Sequence, residues 1–150
     1  MAKILVVDDD QILCEMFTDR LARIGHNATF VSTLSEAKKR VFAGDFEVIF
    51  LDVQMPDGNG LIALPELKKA PSQPEIIIIT GKGDPDGAEL AVKSGAWDYL
   101  EKPTAIKEML LPLARALQYK KAKTEADLHT VALQRRAIIG SSRKLTKCLD

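Results

Sequence analysis

The sequence predicts an α/β domain built on a doubly wound parallel sheet. Short β-branched apolar runs alternate along the chain with amphipathic segments of helical period, the pattern of repeated β-α units. One run, the four isoleucines 76–79, is continuous enough for a central strand covered on both faces. Each run also ends in a polar residue, which puts chemistry at one edge of the sheet.

The first strand is read at 3–7. Ile12, Leu13, Met16, Phe17, Leu21 and Ile24 then recur at helical spacing, and Gly25 stands where a left-handed cap would end that helix. A weaker second strand follows at 28–31. Thr33 and Glu36 have capping-box spacing, so a second helix is expected from there to Gly44. Residues 46–51 form the third strand. The third helix spans 60–70, with Pro65 expected near its first turn or at a bend. Pro71 and Pro74 bracket a loop before the fourth strand, 75–79. A fourth helix is expected from about 87 to 94, ending at Gly95, and a fifth strand at 97–100. The fifth helix follows Pro103, with Ile106, Met109, Leu110, Leu113 and Leu117 as its buried stripe and Pro112 as a point of kinking. Five such units fill residues 1–118 and make a complete doubly wound domain.

At 150 residues, 46% of them apolar, the chain accommodates one globular core and a tail. Residues 119–138 turn to Lys, Glu, Ala and Arg without Gly or Pro, which favours continuation of the fifth helix as a linker. Leu117, Thr124, Leu128 and Val131 form one candidate coiled-coil seam, although Lys121 and Arg135 break strict heptads; a solvated single helix is the alternative. The 21 basic and 21 acidic side chains cancel, so direct contact of this segment with nucleic acid or an anionic membrane is not expected. Cys14 and Cys148 have no metal-binding or disulfide spacing, and no apolar stretch approaches the roughly 18 residues of a spanning helix. A cytoplasmic protein, neither exported nor embedded, is the expectation.

The strand ends carry the functional signal. Asp8, Asp9 and Asp10 follow the first strand, Asp52 follows the third, Thr80 the fourth and Lys102 the fifth. Open α/β sheets bind ligands beyond the C-terminal ends of their strands, at the switch point that strands one and three should flank. Clustered carboxylates repel unless a cation neutralises them, and hard oxygen donors suit Mg²⁺, with Mn²⁺ able to substitute. Asp52 is then a plausible nucleophile toward phosphorus, with the metal, the Lys102 ammonium and the Thr80 hydroxyl stabilising charge on the phosphoryl oxygens. Taken one at a time, an Asp after a strand serves equally as a cap, Thr80 as a turn residue and Lys102 as a solvated lysine; their joint placement favours the site. Trp97, Cys14 and His26 are read as packing, structural or incidental residues.

These residues resemble the response-regulator receiver domain of two-component signalling, through Val6-Val7-Asp8-Asp9-Asp10, Leu51-Asp52, Met55-Pro56 to Gly60, Thr80-Gly81 and Lys102-Pro103. The resemblance covers residues 3 to about 118 and implies a flavodoxin-like sheet of order 2-1-3-4-5. It implies that Asp52 accepts a phosphoryl group from a histidine kinase. Mg²⁺ would be held by Asp8, Asp9, Asp52 and the Gln54 main-chain carbonyl, and Thr80 and Lys102 would contact the phosphoryl oxygens. By the same resemblance Thr80 and Tyr99 form the switch pair, the peptide before Pro103 is cis, and Gln54 and Lys82 tune the lifetime of the phosphorylated state. Thr104 departs from the phenylalanine that many relatives carry there.

The tail sequence Ile138-Ile139-Gly140-Ser141-Ser142 resembles the opening of the AAA+ ATPase module in sigma-54-dependent activators, making residues 139–150 the start of a truncated domain of a longer chain; it could also simply end a helix. The chain has no Gly-rich phosphate loop of its own. That subfamily implies a homodimer whose arrangement restrains or promotes ATPase ring assembly. Two other classes compete. A metal-dependent phosphohydrolase would want an acid two residues after the nucleophile, where Gln54 stands, and a docking module would need none of the acid set.

Overall fold

The computed structural model describes residues 2–81, 85–101 and 106–137, with residues 124–137 and Pro85 described by backbone alone. Five strands, β1 (Lys3–Val7), β2 (Asn27–Val31), β3 (Val48–Asp52), β4 (Glu75–Thr80) and β5 (Asp98–Glu101), form one parallel sheet of order β2-β1-β3-β4-β5. The helices between and after them are α1 (Gln11–Arg23), α2 (Leu34–Ala43), α3 (Gly60–Lys68), α4 (Pro85–Lys93) and α5 (Ile106–Ala137). A two-residue antiparallel ladder, Gln54–Met55 with Gly58–Asn59, sits between β3 and α3. The fold class and strand order expected from the sequence are those observed.

Alternation along the buried strands sends side chains to two separate cores. Leu5, Val7, Ile49, Leu51, Ile76 and Ile78 pack with residues of α2, α3 and α4. Ile4, Val6, Val48, Phe50, Ile77 and Ile79 pack with residues of α1 and α5. The second core includes an edge-to-face pair, Phe17 against Phe50, with ring centroids 4.7 Å apart.

Local signals account for the helix ends. The Asp10 side chain accepts the Leu13 N–H to start α1, and Thr33 accepts the Glu36 N–H to start α2. Asn59 accepts the Leu61 N–H to start α3. Gly25 and Gly95, both at φ +96°, take the left-handed conformation that follows α1 and α4. Pro85 opens α4, where its missing N–H costs no helix bond.

Several boundaries move from their expected positions. The third strand begins at Val48 and takes in Asp52, because the ladder with β1 starts at Ile4↔Val48; Phe46 is buried as a loop residue beneath the Lys3 ammonium. Thr80 is the last residue of β4 rather than the first beyond it, paired with Glu101. The fifth strand shifts by one residue, since Trp97 donates to the Ile76 carbonyl before the ladder begins; Trp97 packs against the second core, as expected. Asn59 starts α3 at Gly60, so Pro65 lies one turn deeper than the first turn, and the helix ends at Lys68. On α1 the buried stripe is Cys14, Phe17 and Leu21, while Ile12 (70% exposed), Met16 (57%) and Ile24 (49%) face solvent. Cys14 and His26 are structural: Cys14 is buried, and His26 Nδ1 accepts the Ala2 N–H, its pKa held below the usual imidazole range mainly by burial. On α5 Met109, Leu113 and Ala116 are buried, with Ile106, Leu110 and Leu117 half-buried beside them and Pro112 inside the helix.

The chain divides into two units, Met1–Leu117 and Gln118–Asp150. The seam positions Thr124, Leu128 and Val131 lie beyond the described side chains, and residues 138–150 lie outside the described residues. No described helix is long and apolar enough to cross a membrane.

Exposed Met16 and buried Phe17 give a direct test of the corrected stripe. Phe17→Ala should cost about 3–5 kcal/mol in urea unfolding, whereas Met16→Ala should change stability by less than about 0.5 kcal/mol. A second pair tests the backbone packing beneath β3. A Cβ at Gly60 would run into the Asp52 carbonyl oxygen, while one at Gly81 would meet nothing within 4 Å among the described residues. Gly60→Ala should therefore cost about 3 kcal/mol, the upper end for overpacking, and Gly81→Ala should be near neutral in the same experiment.

Candidate functional site

The register of the sheet builds the site. β1 and β3 are neighbours paired Val7↔Leu51, so the residues that follow, Asp8 and Asp52, emerge side by side at the C-terminal edge. β4 lies on the other side of β3 and brings Thr80 to the same edge, with Asp52 paired to Ile79. Doubly wound sheets open their ligand crevice at this edge.

Asp8, Asp9 and Asp52 each present a carboxylate oxygen, and these atoms all lie within 4.8 Å of one another. Asp8 and Asp52 are buried, at 1% and 4% exposure, whereas Asp9 is exposed. Asp8 is fixed through its backbone by a bond to the Val31 carbonyl, and its Oδ1 accepts the Asp10 N–H at 3.0 Å. Asp10 turns away to cap α1, so the three consecutive acids divide into two at the cluster and one at the helix. An all-oxygen set of this kind fits a hard divalent cation with coordination positions left for water or a phosphoryl oxygen.

A cleft of about 410 Å³ opens beside the cluster, lined by Asp9, Asp52, Gln54, Met55, Pro56 and Gly81. Gln54 is exposed on its wall, and Met55 is buried into the first core. The segment 53–60 is tied down at its base: the Val53 N–H donates to Ile79, and the Gly60 N–H donates to Val53 at 2.8 Å. Close approach of Gly60 to the Asp52 carbonyl explains why the turn ends in glycine.

The structure thus brings together Asp8, Asp9 and Asp52, with Gln54 on the cleft wall and Thr80, 2% exposed, at the end of the next strand. Tyr99, paired with Ile78 on β5, is half-buried against the first core. Lys82, Lys102, Pro103 and Thr104 lie outside the described residues. Sequence reasoning passed over Asp57. Its carboxylate accepts the Leu34 N–H at 2.8 Å and the Ser35 N–H at 3.0 Å, and those two bonds, Leu34 first, hold its pKa below the usual range. The only sequence cue was an acid inside a turn, which names no partner.

Residues 4–114 match the response regulator receiver domain family. The DNA-binding transcriptional regulator NtrC of Azospirillum brasilense is 37% identical over 116 residues, covering 77% of this chain and 24% of that protein. The transcriptional regulatory protein ZraR of Salmonella typhimurium is 31% identical over 147 residues, covering 98% of this chain and 33% of that protein. The chain therefore spans a quarter to a third of the length of these relatives. Among solved structures, the beryllofluoride-activated NtrC4 receiver domain dimer matches with a TM-score of 0.75 at 36% identity, over 79% of this chain and 98% of that one. A response regulator from Burkholderia pseudomallei, solved with a phosphorylated aspartic acid, calcium ion and citrate, matches at 0.72 and 26% identity, over 97% and 93%. With the family matched across most of its length and an acid cluster at the switch point of a doubly wound sheet, this chain belongs to the response regulator receiver domain family.

Proposed function

We propose that this chain is the phospho-accepting receiver of a two-component system, with Asp52 taking a phosphoryl group from the phosphohistidine of a cognate histidine kinase. The observation that carries the reading is the convergence of Asp8, Asp9 and Asp52 within 4.8 Å at the end of β1 and β3, in a chain of this family. The phosphorylated aspartic acid named for the Burkholderia pseudomallei regulator lends further support.

In the proposed transfer an Asp52 carboxylate oxygen forms a bond to phosphorus as the P–N bond to the kinase imidazole breaks. The electron pair returns to the ring nitrogen, which regains a neutral imidazole on proton balance with solvent. Asp8, Asp9, Asp52 and the Gln54 main-chain carbonyl would hold Mg²⁺, and Mn²⁺ would substitute. When bound, the cation would neutralise the carboxylates and the charge developing on the equatorial phosphoryl oxygens. The Thr80 hydroxyl and Lys102 ammonium would contact those same oxygens. Gln54 and Lys82 would govern access of the hydrolytic water and so the lifetime of the acyl phosphate. The chain would assist its own phosphorylation and dephosphorylation and otherwise act as a signalling domain.

The output would be a two-state change in which Thr80 moves toward the phosphoryl group, Tyr99 turns inward and the surface of α4, β5 and α5 is remodelled. Residues 1–118 would be the receiver, 119–138 a helical linker able to form a coiled coil, and 139–150 the start of an AAA+ ATPase domain. The likeness to ZraR, which runs into the tail, and to a receiver dimer favours a homodimer that controls sigma-54-dependent transcription from the cytoplasm. Balanced charge argues against nucleic-acid contact by this segment itself.

Intact-mass measurement after incubation with acetyl phosphate and Mg²⁺ tests the proposal. Wild type should gain one labile phosphoryl group, lost from the reaction when Mg²⁺ is chelated, and Asp52→Asn should gain none. Catalytic release of phosphate from many substrates, or no adduct on wild type, would overturn it.

A further inference from the structure

We propose that Asp57 is a positioning residue that shapes the acid cleft by pinning the segment 53–59 to the N-terminus of α2. The inference rests on the metal and phosphoryl reading above and goes beyond it to a residue outside the cluster.

The base of this segment is held by the bonds of Val53 and Gly60 and by the ladder Gln54↔Asn59. Its tip, residues 56–58, is exposed. Before the tip, Met55 is buried in the first core, and from the tip itself the Asp57 carboxylate spans two backbone donors 23 and 22 residues away. The first three amides of α2 are thereby divided. Thr33 caps Glu36, while Leu34 and Ser35 donate to Asp57. Both carboxylate oxygens are engaged, one per donor, which fixes the orientation of the group as well as its distance. A negative charge at a helix N-terminus is also favoured by the helix dipole.

The geometry links this clamp to the site. Gln54, Met55 and Pro56 form one wall of the cleft, directly before Asp57 in the chain. Gly58, at φ +154°, brings the backbone close enough to α2 that a Cβ there would lie 3.2 Å from the Leu34 side chain. Losing the clamp would remove the hydrogen bonds of the tip to α2 and leave the wall held, among the described residues, chiefly from its base and by Met55. The Gln54 main chain, which the proposed metal site needs in one place, would then sample more positions. Supports of this kind act on affinity through the ligand they orient.

Isothermal titration of Mg²⁺ into the full chain separates positioning from stability. It would be run on wild type, Asp57→Ala, Asp57→Asn and Thr33→Ala, each verified as folded by circular dichroism at the working temperature. Thr33→Ala removes a cap from the same helix end without touching the segment 53–59. Asp57→Ala should weaken Mg²⁺ binding by about tenfold, the low end for loss of an outer support. Asp57→Asn, which keeps one carbonyl acceptor, should recover part of that loss, and Thr33→Ala should bind as wild type does. Wild-type affinity in Asp57→Ala, or an equal loss in Thr33→Ala, would overturn the inference while leaving the metal site standing. A wild type with no Mg²⁺ affinity would overturn the underlying reading, and the inference with it.

Discussion

Three carboxylates within 4.8 Å of one another repel when ionised, and the domain is organised so that this repulsion cannot part them. Two of the three are anchored in strands or just beyond them. Asp52 is still inside the β3 ladder, and Asp8 follows a β1 whose last four residues are fully buried. To separate them the sheet would have to slip, and a slip of one residue would turn every core side chain of β1 or β3 to the wrong layer. The cores on the two faces thus stabilise the register, and the register holds the charges together.

That arrangement concentrates carboxylate oxygens at one point of the sheet edge. A bound cation would offset the repulsion between these carboxylates directly, as the proposed function requires. The surroundings are built to keep the cluster accessible. Asp9 is exposed, the cleft opens between the cluster and residues 54–56, and Asp10 is drawn off to cap α1 instead of adding a fourth charge. Consecutive identical residues thus take different roles because the backbone turns from strand to helix between them.

Much of this was legible in the sequence because central parallel strands are buried on both faces and so read as uninterrupted apolar runs. The polar residue that ends each run then marks the sheet edge. The meeting of Asp8, Asp9 and Asp52 follows from that placement, whereas the strand order came only with the receiver resemblance. The α1 stripe was misread for a physical reason: Ile12 and Met16 are apolar enough to mark an inner face, yet the smaller Cys14 occupies it, and residue type does not give direction around a helix. Strand ends moved by one or two residues because hydrogen-bond register, not apolar character, decides where a ladder stops. The Asp57 clamp was invisible because its donors are backbone amides of another helix, and backbone amides carry no sequence signature.

The central claim is that these carboxylates form one cation site at the C-terminal edge of the sheet. Its most direct test is an amide NMR titration with substoichiometric Mn²⁺, whose paramagnetism broadens nearby signals. The account predicts selective loss of the signals of Asp8, Asp9, Asp52, Gln54 and Gly81, with Lys3, Asn27 and Glu47 at the opposite edge unaffected. Broadening that spreads evenly over the domain, or centres on the acidic residues Asp45 and Glu47, would contradict it.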